Sequence, residues 1–63
     1  MADIPLSEQL RVVNRELAMR KRLYPEWVRQ GKIKEDRARY LIEVFEALQA
    51  TLQQLHTRVN EDD

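Results

Sequence analysis

The chain has 63 residues, with eleven basic and eleven acidic side chains, one histidine and no cysteine. That excludes more than one domain, a disulfide staple and a thiolate metal site, and a chain this short buries too little surface to be comfortably stable alone. The balanced charge is unevenly spread: from Arg11 to Arg39 ten basic residues stand against four acidic, and outside that stretch Arg58 stands against seven acids.

The opening Met1-Ala2-Asp3-Ile4-Pro5 lacks a basic start followed by an apolar block, so no signal peptide is expected. No apolar run approaches the roughly 18–20 residues of a membrane span. The expectation is a cytoplasmic protein without a membrane segment. One Gly, two Pro and many Leu, Glu, Gln, Arg and Ala fit an all-helical chain.

Pro5, with Ser7 and Glu8 after it, marks a helix start. Leu6, Leu10, Val13, Leu17, Arg20, Tyr24 and Trp27 then follow at alternating spacings of four and three, a helical seam with one violation at Arg20. Pro25 removes a backbone donor and disfavours the α region at Tyr24. The first helix, about 6–24, is therefore expected to kink or break there, with a short helix over 25–30. Gly31 suits the left-handed position that ends a helix, which puts the turn at 30–33. The second helix, about 34–59, carries Ala38, Leu41, Phe45, Leu48, Leu52, Leu55 and Val59 on one seam and has Glu35 and Asp36 in its first turn, where the helix dipole favours acids. The acidic tail Asn60-Glu61-Asp62-Asp63 sits at the wrong end of that dipole and is expected to fray.

Folding at Gly31 gives an antiparallel helical hairpin. Leu17 should face Phe45, Val13 should face Leu48 and Leu10 should face Leu52, so the expected core and oligomer residues are Leu10, Val13, Leu17, Leu41, Phe45, Leu48, Leu52 and Leu55. A second apolar strip runs along each helix: Val12, Met19 and Leu23 on the first, Tyr40, Val44 and Ala47 on the second, with Ile42 on the far flank. One hairpin needs only one seam. The wider stripe implies a homo-oligomer, most simply a dimeric four-helix bundle.

Arg20 on the seam needs a partner, because a buried unpaired charge is very costly. Glu16 one turn earlier, or Glu43 or Glu46 across the hairpin, would make a register-fixing ion pair. Alternatively, the Arg20 head reaches past its neighbours into solvent or meets an anionic ligand. Tyr24 and Trp27 would ordinarily cap the open end of the core. Their neighbourhood is basic, however, and Arg20, Tyr24, Trp27, Lys32, Lys34 and Arg37 together form a candidate ligand or partner contact, since aromatic faces beside cationic groups suit bases and phosphates. Gly31-Lys32 is no phosphate loop. His56 reads as a surface or rim residue. No nucleophile–base pair and no metal-ligand spacing is present, so neither catalysis, a metal nor a cofactor is expected.

The run Glu16-Leu17-Ala18-Met19-Arg20-Lys21-Arg22-Leu23-Tyr24-Pro25-Glu26-Trp27-Val28-Arg29-Gln30-Gly31-Lys32, followed by a helix with Glu43, Leu48 and Leu52, resembles a family of very short uncharacterised phage and prophage helical proteins sharing an ExxxR…YPxWVxxG(K/R) core. The resemblance covers about Leu6 to Leu55. It implies a small phage accessory protein, a helical oligomer that contacts a host or phage protein or sequesters a nucleotide signal. Three functions are therefore carried forward: protein–protein interaction, binding of a nucleotide or cyclic nucleotide at the basic aromatic tip, and weak nucleic-acid binding. Zero net charge argues against broad DNA binding, although the basic middle segment does not exclude it.

Overall fold

The structure, a computed structural model, describes residues 3–61 and the side chains of 3–59. Two α-helices, α1 (Leu6–Arg29) and α2 (Glu35–Glu61), fold back on each other as a hairpin, and no strand is present among the described residues. The expected all-helical hairpin is therefore the observed architecture. Asp62 and Asp63, where fraying was expected, lie outside the described residues. α2 itself extends to Glu61, two residues past the expected end.

α1 begins after Pro5, whose extended backbone (ψ 151°) makes it the N-cap without a side-chain hydrogen bond. Its carbonyl accepts from the backbone N–H groups of Glu8 and Gln9, both at 3.1 Å. The helix thus starts at residue 6, where it was expected, with Ser7 and Glu8 in its first turn. The helix ends as the sequence suggests. Gly31 sits at φ +76°, the Gly31 N–H donates to Val28 O at 3.0 Å, and the Lys32 N–H donates to Trp27 O at 2.9 Å. These paired bonds close the helix end by the Schellman arrangement, which requires a left-handed residue at this position.

Pro25 does not divide the helix. α1 runs unbroken from Leu6 to Arg29 with Pro25 inside it, so the expected separate helix over 25–30 does not form. The physical reason lies in its surroundings. Pro25 is exposed, so water can hydrate the Lys21 carbonyl that loses its donor. Tyr24, one residue before, is only 3 % exposed, and its burial fixes the backbone where proline alone would disfavour helix.

The core is thin. Leu10, Leu17, Tyr24, Ala38 and Leu52 are buried, and Val13, Leu41 and Phe45 are half-buried. Leu48 and Leu55, expected on the same seam, remain 42 % exposed. Polar pairs tie the helices along one side: Gln49 Nε2 donates to Asn14 Oδ1 at 2.6 Å, and Lys21 Nζ lies 3.4 Å from a Glu46 carboxylate oxygen.

Candidate functional site

Helical spacing builds the basic aromatic end of the hairpin. Positions four apart share a face, so Glu16, Arg20 and Tyr24 stack in a column. Arg20 Nη1 donates to the Tyr24 hydroxyl at 2.7 Å. Its Nε lies 3.5 Å from a Glu16 carboxylate oxygen, near enough for attraction but without a hydrogen bond to any group. The guanidinium also lies 4.7 Å from the Phe45 ring centroid and 5.9 Å from that of Tyr24, within cation–π reach of both. The Tyr24 hydroxyl, followed by the Glu16 charge, raises the Arg20 pKa further, so the group stays charged at every accessible pH.

Arg20 is thus held by its own helix and by an aromatic ring across the hairpin. Of the three carboxylates offered as alternative partners, Glu16 is the one that pairs with it. Glu46 does not, because it lies on the other side of the hairpin with Lys21. Tyr24, expected in the ligand or partner contact, is instead among the most buried side chains, and its ring meets Trp27 at 5.5 Å between centroids with a 43° tilt. Trp27 is half-buried. Together these rings cover the turn end of the core, a common use of such aromatics.

Lys32, Lys34 and Arg37 are exposed around the turn. Arg37 lies over the Tyr40 ring at 5.7 Å. The six residues of the expected contact therefore divide. Arg20, Tyr24 and Trp27 form one packed unit, whereas Lys32, Lys34 and Arg37 present charge to solvent.

The groove at this end has another lining. A cavity of about 490 Å³ opens between Lys21, Tyr24, Pro25 and Val28 of α1 and Glu35, Ala38, Arg39 and Ile42 of α2. Apart from Tyr24, none of these belongs to the expected contact. The signal was present: Lys21, Tyr24 and Val28 repeat at three and four, as do Glu35, Ala38 and Ile42. The stronger seam through Leu17 and Phe45 masked it.

Elsewhere the ionic groups form local pairs. Glu8 is held below the usual carboxylate range by the Arg11 guanidinium, and Glu26 by that of Arg29. Arg29 Nε donates to Glu26 at 3.0 Å and Arg11 Nε to Glu8 at 3.2 Å. Arg39 lies 3.3 Å from Glu35 one turn away. His56 is half-buried. Among the described residues no cluster of three or more His, Asp or Glu could hold a metal ion, and no helix is long and apolar enough to cross a membrane.

Within the hairpin the charge asymmetry is weaker than along the chain. Residues 20–43, at the turn end, hold eight basic and four acidic side chains. Arg11 and Arg15, counted in the basic middle of the sequence, belong to the half of α1 remote from the turn. Compared with protein families, curated proteins and solved structures, the chain matches none.

Proposed function

We propose that this chain is a non-enzymatic, self-associating helical protein that acts by binding, as a phage accessory module contacting a host or phage protein through its basic turn end. The observation that carries the binding role is the distribution of apolar surface. Among the described residues only five side chains are buried, while Val12, Met19, Tyr40, Val44, Leu48, Leu55 and Val59 are exposed on the two helices. A monomeric soluble protein rarely leaves so connected a set of apolar side chains open to water.

The turn end supports an electrostatic contact more than a closed ligand pocket. Lys32, Lys34 and Arg37 project from a short connection capped by packed aromatics. Such a cationic knob favours an acidic protein surface, where charge steers encounter and sets orientation. The nucleotide reading is weakened by Tyr24, whose buried ring and occupied hydroxyl leave no open stacking face.

Trp27 emission distinguishes the readings. The full chain is titrated with polyglutamate, with a nucleoside triphosphate, with a cyclic dinucleotide and with a short single-stranded oligonucleotide, at low and high salt. The protein-contact reading expects a response to polyglutamate that salt weakens and that Lys32→Glu combined with Lys34→Glu removes. A saturable change with a nucleotide that persists in high salt would overturn it in favour of the ligand site.

A further inference from the structure

The exposed apolar side chains are not scattered. Counting about 100° per residue, the exposed Val12 and Met19 and the half-buried Leu23 lie roughly 140° around α1 from the Leu10–Leu17–Tyr24 seam. Tyr40, Val44, Leu48 and Leu55 lie roughly 100° around α2 from the Ala38–Phe45–Leu52 seam. Both strips are displaced in the same rotational sense. In an antiparallel pair that brings them to the same side of the hairpin. The opposite side carries the cross-helix pairs Asn14–Gln49 and Lys21–Glu46. The hairpin is therefore a single layer: one side carries the two open apolar strips, and the other carries the cross-helix polar pairs and, towards the turn, the groove between Lys21 and Ile42.

We infer that this face docks a second copy of the chain, head to tail, so that the turn end of one protomer lies over the terminal end of the other. This rests on the self-association proposed above and specifies its surface and polarity. Area supports the occupant. The chain exposes 5189 Å², whereas a folded monomer of this mass exposes about 4300 Å². The excess, roughly 900 Å², matches the ~800 Å² that each partner contributes to a stable interface. An extent of 48 × 21 × 19 Å shows why: the second layer that would make the molecule compact is missing.

Shape and charge support the same occupant. Near the terminal end of this face a cavity of about 440 Å³ is lined by Ile4, Glu8, Gln9, Val12, Val13, Leu48 and Leu52, a mostly apolar recess suited to a protruding side chain. Charge sets the polarity. The turn end holds eight basic against four acidic residues between 20 and 43, whereas the described side chains outside that stretch are Asp3, Glu8, Glu16 and Glu46 against Arg11, Arg15 and Arg58, a small acidic excess. Head-to-tail docking brings unlike ends together, and docking with both turns at one end would bring like ends together.

Disulfide trapping tests the face and the polarity, and the chain contains no cysteine to interfere. Tyr40→Cys and Leu55→Cys chains, both altered on this face of α2, are mixed, refolded together and oxidised. Head-to-tail docking gives a mixed disulfide between the two chains, with neither forming one with its own kind. Like-with-like disulfides, or none, overturn the inference. Sedimentation of face variants separates this from the broader reading. Leu48→Glu and Val44→Glu should raise the dimer dissociation constant at least about a hundredfold, as expected when a charge enters a packed interface, whereas Ala50→Glu on the outer side of α2 should leave it unchanged. If the parent chain dimerises and only Ala50→Glu disrupts it, the face is wrong although self-association stands. If the parent chain stays monomeric, self-association itself fails.

Discussion

Arg20 shows how one misplaced residue on an apolar seam can become structural. Its cost of burial is offset by the Tyr24 hydroxyl, the Phe45 face and the nearby Glu16 carboxylate. Tyr24→Phe should therefore destabilise the fold by about 1 kcal/mol, the value of one hydrogen bond to a charged partner that water can partly replace. Tyr24→Ala should cost about 3–5 kcal/mol, since it empties a buried aromatic site. Urea midpoints for the two variants check the ordering, and equal losses would mean that the hydroxyl, not the ring, dominates. The sequence identified Arg20 as the anomaly but left its partner open. Glu16 on its own helix and Glu43 and Glu46 across the hairpin were all within plausible reach, and the rotation of α2 about its axis decides whether the latter two approach it. Tyr24 was ambiguous for a related reason: an aromatic among cations reads equally as a stacking surface or as a cap, and burial alone separates the two.

The helices themselves were largely legible, because a three–four repeat of apolar residues has few other solutions. Gly31 was legible too, since its φ of +76° is a conformation that other residues adopt only with strain. A methyl group added at Gly31 would meet nothing within 4 Å, so Gly31→Ala should cost only the backbone penalty, about 1–2 kcal/mol. Thermal unfolding measures it. The uninterrupted passage of α1 through Pro25 was not legible. Local rules disfavour helix before proline, and the burial of Tyr24, a tertiary effect, overrides them. Because the helix is already continuous, Pro25→Ala should restore a donor to the Lys21 carbonyl and stabilise α1, by up to about 3 kcal/mol. An unchanged or lower melting temperature would indicate that the ring's place in the groove beside Ile42 matters more.

Helix ion pairs give a weak pH dependence at this same scale. Glu8 and Glu26 have native pKa values depressed below their ordinary 4.5 by Arg11 and Arg29, respectively. A depressed carboxylate contributes stability that is fully present above its unfolded value and is lost as pH falls through the native one. Helicity at 222 nm should therefore be flat through the neutral range and should decline only below about pH 4.5. The effect should be small, because both pairs are exposed to solvent. Replacing both glutamates with Gln should flatten part of that acid limb.

At the scale of the whole molecule the governing fact is an incomplete core. Among the described residues five side chains are buried and several large apolar ones are exposed, which is what the proposed dimeric bundle would require of each protomer. Width of the apolar stripe was readable from the sequence. The side of the hairpin on which the two strips meet was not, because it depends on the antiparallel packing of α2. The open face also changes how stability should behave. If ordering of the hairpin is linked to association, its melting temperature rises with protein concentration by mass action. Sedimentation equilibrium of the full chain, from low micromolar to submillimolar concentration, tests this most directly. The expected result is a mass that climbs from the 7.6 kDa of one chain to twice that value, with Leu48→Glu holding it at the lower limit. A fully helical chain that sediments as a single 7.6 kDa species at every concentration would contradict the proposal.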